Sequence, residues 1–298
     1  MKALLWNRPG AVADFGGDTL QWLRTSEELV ALGVEVERSD AAQPDLAGYD
    51  LVHLFNLQSD EAALPVAEAA RAAGLPIALS TIWWDLSEGR YLRRLRRKLS
   101  LRAREALVGR ERSLARFRAR DEATPAARAR RLRVRRLLEL ADVLLPNSAA
   151  ELELLAEHFA LPELRRKTAV VPNAVDPPAA PAEGERAGVL CVGKLHPLKN
   201  QLGLIEALTG LDAPLTLIGD DRRHPDYVQA CRAAAARHGR CQLLGPLPHA
   251  ELAEHYARAQ VHALVSFRET PGLVSLEAAA LGCAVVSTDR GSAGEYFG

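Results

Sequence analysis

A chain of 298 residues with zero net charge, 48% apolar residues and 5% aromatics has the composition of a soluble globular protein with room for two α/β domains. No window approaches ~20 uncharged apolar residues, and Met1 to Gly10 lacks the apolar core of a signal peptide, so neither a membrane span nor export is expected. Cys191, Cys231, Cys241 and Cys283 are scattered without a CxxC pair, which excludes a disulfide frame or zinc site and suits apolar fillers in a cytoplasmic protein.

The zero balance hides an asymmetry. From Arg90 to Arg136 there are 19 Lys or Arg against four Asp or Glu, so the rest of the chain is correspondingly acidic. Such separation points to a face that meets something anionic.

In chain order, Ala3 to Trp6 is a short apolar run suited to a first strand. A loop ending in Gly16-Gly17 follows, and Asp18 can cap a helix running to about Leu32, stopped by Gly33. Val34 to Val36 alternates as a second strand, giving the strand, glycine loop, helix and strand of a Rossmann-like half. By itself Gly16-Gly17 also suits an ordinary turn. Asp50 to Asn56 reads as a third strand, Ser59 to Ala73 as a helix, and Pro76 to Ile82 as a fourth strand. Trp83, Trp84 and Asp85 come next, and the two rings suit either a platform for sugar or lipid, or packing under a loop.

Residues 87–140 form the Arg-rich segment, where Leu92, Leu95, Leu99, Ala103 and Ala106 keep helical spacing. An amphipathic basic helix is expected, either solvated or docked through Arg90–Arg136 on an anionic membrane surface. No recognisable nucleic-acid-binding motif accompanies the charge, so nucleic acid is not expected as a partner. Asp142 to Pro146 makes a fifth strand. Ser148 and Glu151 form a capping box, and Thr168 to Asn173 reads as a sixth strand. Residues 177–187 (PPAAPAEGERA) have linker composition, dividing the chain into a first domain, 1–176, and a second, 188–298.

The second domain opens with a strand from Val189 to Gly193, followed by Lys194 and Lys199 in a loop. Further strands are expected at Leu215 to Ile218, Gln242 to Leu244 and Val261 to Val265. After the last of these comes a loop with Glu269 and Pro271-Gly272, then the apolar segment Leu273 to Leu281. A helix so apolar is expected to be buried on nearly all sides, and its one charge, Glu277, then needs a partner. That partner is either an Arg or backbone amide, or a bound ligand. Free amides at the helix start suit a phosphate, Gly272 permits close approach, and carboxylates suit vicinal hydroxyls. Together these features fit a sugar joined to a nucleoside diphosphate.

The run from Glu269 to Glu277 (ETPGLVSLE) resembles the Glu-x7-Glu motif of GT4-type retaining glycosyltransferases (glycosyl transferases group 1) of the GT-B fold. Residues 193–200 (GKLHPLKN) resemble the family's Gly-Arg-Leu-x3-Lys-Gly motif, with Lys194 standing where the family usually has Arg. The resemblance implies two Rossmann-like α/β domains facing across a cleft, the second incomplete because relatives continue beyond Gly298. It implies that Glu269 contacts the donor sugar and Glu277 the nucleotide ribose, while Lys194 and Lys199 neutralise the departing diphosphate. Gly193, Gly272 and Leu273 would line the donor seat. Gly16-Gly17 would lie near donor phosphate and acceptor, and Trp83, Trp84 and Asp85 would meet the acceptor.

The implied activity is metal-independent, cofactor-free transfer of a sugar, with retention, from a nucleotide-diphosphate sugar to a glycan or lipid-linked acceptor in bacterial cell-surface polysaccharide synthesis. The expected location is the cytoplasm, peripherally at the inner face of the membrane if the acceptor is lipid-linked. The alternatives are a nucleotide-sugar epimerase on the same fold and a non-catalytic protein that binds nucleotide sugar and an anionic surface.

Overall fold

The computed structural model describes residues 1–85, 87, 90–91, 94, 106, 108–176, 184–270 and 272–298. They divide into two compact units. Met1–Trp84 with Glu111–Asn173 forms the first; Ala174–Gly298 with the described residues of Asp85–Arg110 forms the second.

The first unit runs β1 (Lys2–Trp6), α1 (Gly17–Ala31), β2 (Glu35–Ser39), β3 (Leu51–Phe55), α2 (Asp60–Ala72), β4 (Ile77–Ser80), α3 (Arg110–Glu122), α4 (Pro125–Leu140), β5 (Val143–Leu144) and α5 (Ala149–Phe159). Its five strands among the described residues are parallel, in the order β2-β1-β3-β4-β5. The period-2 rule of a strand explains the two-sided core. Leu4 and Trp6 of β1, with Val52, Leu54, Ile77 and Leu79, pack under α2, α4 and α5. Ala3 and Leu5 point the other way, onto Trp22 of α1. Each such large apolar side chain taken out of water contributes about 2 kcal/mol.

The second unit runs β6 (Val189–Val192), α6 (Gln201–Leu208), β7 (Leu215–Ile218), α7 (Pro225–His238), β8 (Cys241–Leu243), α8 (His249–Arg258), β9 (Val261–Leu264), α9 (Leu273–Ala280), β10 (Ala284–Ser287) and α10 (Ala293–Phe297). Its strands are parallel, in the order β10-β9-β6-β7-β8. Cys191 faces Leu204, Val228 and Cys231 on one side, while Leu190 and Val192 face Tyr256 and Ala278 on the other.

Counted from each unit's own first strand, the second sheet has the Rossmann order and the first the other common doubly wound order. Strand order reverses between β1 and β3 in the first unit and between β6 and β9 in the second. Ligand crevices in such sheets lie at the carboxyl ends of the strands flanking the reversal.

Several local expectations are corrected. Thr168 to Asn173 is not a strand. Ala169 and Val171 donate to Leu144 and Pro146 at 3.0 and 2.9 Å, but only a single bridge, Leu144 to Thr168, forms. Pro146 has no N–H to return, so the ladder cannot continue. Asp18 is not the cap of α1; Gly16 is, in extended backbone, and Asp18 lies inside the first turn. The cap of α5 is Ser148, at 3.0 Å from the Glu151 amide, but Glu151 does not complete a capping box. Its carboxyl is buried instead, accepting from the amides of Trp83 and Asn147 at 2.7 and 2.9 Å and from the Thr81 hydroxyl.

The basic segment is not one helix in its described part. α3 ends at Glu122, and Thr124 caps α4 by accepting from Ala127 N at 3.3 Å. Leu92, Leu95, Leu99 and Ala103 lie outside the described residues, as do 177–183 of the linker. Arg186 and Ala187, read as linker, are fastened to the second unit: Arg186 donates to the carbonyls of Tyr256 and Ala259 at 3.1 and 3.2 Å, and Ala187 N to Arg258 O at 3.0 Å. Among the described residues no helix is long and apolar enough to cross a membrane.

Candidate active site

The strand ends at the reversal of the second sheet carry the charged residues singled out above. β6 runs into Gly193, whose amide donates to Ile218 O at 2.8 Å, and Leu195 N reaches Asp220 O at 2.8 Å. This brings the β6 and β7 loops so close that a Cβ on Gly219 (φ +159) would lie 2.0 Å from Gly193 O. Gln201, buried at the start of α6, donates to Lys194 O at 2.9 Å and holds the loop from inside. His196 then caps the short turn Pro197–Lys199, its Nδ1 accepting from Leu198 N at 3.0 Å, which fixes where Lys199 projects.

From the other side of the reversal, β9 leads through Ser266 to Glu269. Phe267 N donates to Leu198 O at 2.9 Å and joins the two loops. Lys199 Nζ lies 2.5 Å from Glu269 Oε2, and Ser266 Oγ donates to the same oxygen at 2.8 Å. Glu269 is 2% exposed, so this cation and hydroxyl offset the desolvation of its carboxyl. The Glu269 backbone is held by residues 290–292: its amide donates to Arg290 O at 3.0 Å and its carbonyl accepts from Ser292 N at 3.1 Å. Gly291 is obligatory there, because a Cβ would stand 1.9 Å from Glu269 O.

Gly272 (φ +82) is the N-cap of α9, and a Cβ on it would meet Leu264 Cδ2 at 2.8 Å and Glu269 Cγ at 3.0 Å. Leu273 opens the helix, whose first amides and dipole favour an anion. Pro271 lies outside the described residues. Only Ser275 and Ala278 of α9 are fully buried, so the expected all-round burial is not found; one face goes in and Leu276 stays half-exposed. Ser275 Oγ is 3.3 Å from Nδ1 of His262 on β9, and burial pushes His262 down to about 4, keeping it neutral.

Glu277 stands one turn into α9, about 6 Å along the axis from Leu273. Among the described residues its partners are neither an Arg nor a backbone amide: His249 Nε2 donates to Oε1 at 2.8 Å, and the Tyr256 hydroxyl to Oε2 at 3.0 Å. Near Lys194, Asp220 is held far below the usual carboxylate range by the Arg222 guanidinium at 2.8 and 2.9 Å, with Lys194 adding a smaller pull.

The structure thus gathers Lys199, Glu269, Gly272 and Leu273, with Gly193 and Lys194 on the adjoining loop and Glu277 on the helix behind. Gly16, Gly17, Trp83 and Trp84 belong to the first unit. Trp83 is not an open platform: it is 5% exposed and packs on Phe159 and His158 at 5.5 and 4.8 Å between centroids. Trp84 is half-buried, and Asp85 accepts from Ser87 N and Oγ at 2.8 Å in a local turn.

At the reversal of the first sheet sit Asn7, Arg8, Asp18 and Asn56, none of them anticipated as a group. Arg8 Nε is 3.2 Å from Asp18 and its Nη2 3.3 Å from Asp14, while Asn56 Nδ2 donates to Asp18 at 3.0 Å. Asn7 is fully buried, and its Nδ2 has no hydrogen-bond partner among the described residues. Ser266, Gln201, His249 and Tyr256 also escaped the sequence; Ser266, three residues before Glu269, and Gln201, two after Lys199, had positions that could have flagged them. Burial pushes the Cys191 thiol up to about 12, in keeping with a filler. Among the described residues no group of three or more His, Cys, Asp or Glu could hold a metal ion.

Two doubly wound parallel sheets, with lysines and a buried glutamate at the reversal of the second, are the architecture of a GT-B glycosyltransferase. The sequence model described as Glycosyl transferases group 1 matches residues 186–297. A D-inositol 3-phosphate glycosyltransferase of Corynebacterium efficiens is 30% identical over 95% of this chain and 76% of its own length. The chain belongs to the group 1 glycosyltransferase family. The homologous D-inositol 3-phosphate glycosyltransferase of Corynebacterium glutamicum is 31% identical over 57% of this chain, and the match spans 46% of that relative's length. Among solved structures, Anabaena HepE in complex with UDP and glucose aligns with a TM-score of 0.66 at 19% identity, covering 99% of this chain and 82% of its own.

Proposed function

We propose that the protein transfers a sugar from a nucleotide-diphosphate sugar to a hydroxyl of a glycan or lipid-linked acceptor, with retention and without a metal ion, in the building of a bacterial cell-surface polysaccharide. The observation that carries this reading is Lys199 Nζ set 2.5 Å from buried Glu269 beside the glycine-capped start of α9. A relative named for D-inositol 3-phosphate and a neighbour solved with UDP and glucose support the pairing of a nucleotide-linked donor with a hydroxyl acceptor.

In this reading the donor diphosphate lies against Lys194, Lys199 and the amides from Gly272 and Leu273, with Gly193 leaving room for it. As the bond from the anomeric carbon to the phosphate oxygen breaks, negative charge grows on the diphosphate, and fixed cations and helix amides stabilise the transition state more than the ground state. The acceptor oxygen bonds to the anomeric carbon from the same face, and its proton passes to the departing phosphate. Glu269 orients the sugar hydroxyls and Glu277 the ribose. No cofactor takes part, because the lysines neutralise the diphosphate charge that a divalent ion would otherwise neutralise. On the acceptor side, Asn7 Nδ2 and Asn56 offer neutral polar groups at the first sheet's reversal, with Gly16 and Gly17 beside them.

An anionic membrane surface is proposed as a docking partner, which would place the enzyme peripherally at the inner face of the membrane. Arg128, Leu132 and Arg136 follow one another at i, i+4 and i+8 on α4, all exposed, with Leu132 at 68%. Arg130 and Arg133, in contrast, are spent on Asp60 at 3.3 and 2.6 Å. Each exposed arginine near anionic headgroups contributes about 1 kcal/mol.

The test is a panel of nucleotide sugars with bacterial glycan and lipid-linked acceptors in chelator, following release of nucleoside diphosphate and the anomeric configuration of the product. Transfer with retention is expected. Isomerised donor without acceptor would indicate an epimerase; tight donor binding without turnover would indicate a binding protein; dependence on added Mg²⁺ would overturn the role given to the lysines.

A further inference from the structure

The partners of Glu277 have a consequence for which nucleotides the second unit accepts. His249 and Tyr256 are seven residues apart on α8, two turns, and therefore on one stripe of that helix with Leu252 between them. Long helical side chains lean toward the helix N-terminus, so Tyr256 leans toward His249 and the two converge on one carboxyl. Tyr256 is 1% exposed, and burial, then the neighbouring Glu277, raise its hydroxyl far above the ordinary value. It is a permanent proton donor to Oε2. His249 approaches Oε1 from the solvent side, with its side chain 67% exposed.

A carboxylate offers about four acceptor positions, two on each oxygen. His249 takes one on Oε1 and Tyr256 one on Oε2. Among the described residues one position on each oxygen is left, at the spacing that receives two adjacent hydroxyls. Without the two donors the carboxylate could rotate about its terminal torsion, a broad one, and the pair of remaining positions would lose its direction. The Glu277 side chain is 13% exposed, so it is reachable from one side only.

We propose that Tyr256 and His249 are positioning residues that lock the Glu277 carboxylate toward a vicinal diol, so that the site selects ribonucleotides against nucleotides lacking the 2′ and 3′ hydroxyls. This rests on Glu277 as the ribose-holding residue. A charge-assisted hydrogen bond to a correctly aimed carboxylate is worth enough to change affinity about tenfold or more. A misaimed carboxylate gives part of that back.

The experiment is calorimetric titration of the intact protein with UDP, GDP and ADP and with the 2′,3′-dideoxy form of each. For the best-bound nucleotide the parent should prefer the ribo form at least about tenfold. Tyr256→Phe and His249→Ala should each cut that preference several-fold by weakening the ribo form alone, with dideoxy affinity unchanged. Normalising to the measured stoichiometry removes any loss of folded protein. Equal weakening of both forms would make the pair a plain link between α8 and α9 and overturn the proposal. So would tighter ribo binding in His249→Ala, which would make His249 a competitor for the carboxyl. Glu277→Ala separates the two levels of inference. If it abolishes the ribo preference while the two clamp variants keep it, only the clamp fails. If it leaves nucleotide affinity untouched, or if the parent binds none of the three, the reading of Glu277 itself fails.

Discussion

The two sheets are built alike and equipped differently. In each, the strand order reverses once between central strands that are largely buried, and a buried histidine on a strand flanking the reversal, His53 on β3 and His262 on β9, is pushed down to about 4 and stays neutral. Among the described residues at the first reversal the cation, Arg8, is outnumbered by Asp14 and Asp18, which both pair with it, and the remaining groups are amides. At the second, Lys199 draws in Glu269 beside the start of α9, and Lys194 lies earlier on the same loop. The same architecture therefore offers a seat without spare positive charge in one unit and an anion seat in the other. What binds where is decided by a few side chains at strand ends, not by the fold.

The sharpest way to break this contrast is through the backbone. Gly291→Ala puts a Cβ 1.9 Å from Glu269 O and should destabilise the second unit by more than about 3 kcal/mol, as overpacking against rigid backbone does. Gly16→Ala, at φ −150 in the first unit, should barely move the melting curve. Comparable melting shifts for the two would mean that the second reversal is no tighter than the first.

Lys199→Ala should lower transfer turnover about 100- to 1000-fold, the usual effect of removing a group that stabilises transition-state charge. Single-turnover rates measure it directly, and a rate equal to the parent's would place Lys199 in solvent.

Acid should act on both units alike. Each buried histidine takes up its proton near 6.5 when unfolded and only near 4 when folded. Between those values the unfolded chain holds more protons, so stability falls as pH falls, by roughly 3 kcal/mol per histidine when the shift is complete. Denaturant titrations at pH 7 and 4.5 check this. His262→Gln and His53→Gln should each remove about half of the dependence, and a flat profile in the parent would contradict it.

Glu277→Ala should weaken nucleoside diphosphate binding about tenfold, whereas Glu269→Gln should lower turnover more than binding. Reversal of those two effects would exchange their roles.

Much of this contrast was legible in the sequence, and the reason is local. Glu269, Gly272, Glu277, Lys194 and Lys199 sit within two short runs whose spacing survives folding, so the strand-loop-helix unit could be drawn from them directly. Most of the parallel strands also announced themselves as apolar runs, but β2 is the polar run EVERS, β5 is only two residues long, and Pro146 stops its partner. What stayed hidden was long-range. Nothing near Glu277 in sequence names His249 or Tyr256, 28 and 21 residues away. Glu151 resembled a helix cap because Ser148 precedes it by three, yet burial turned its carboxyl toward Thr81 and Trp83. Trp83 offered two readings, and the core took it.

The central claim is that the second reversal, and not the first, seats the donor diphosphate. It is tested most directly by calorimetric titration of UDP, GDP and ADP into the parent, a Lys194→Ala/Lys199→Ala double variant and an Arg8→Ala variant. The account predicts that the double variant loses at least about tenfold in affinity for whichever nucleotide binds best, while Arg8→Ala binds it as the parent does. Unchanged affinity in the double variant together with loss in Arg8→Ala would contradict it.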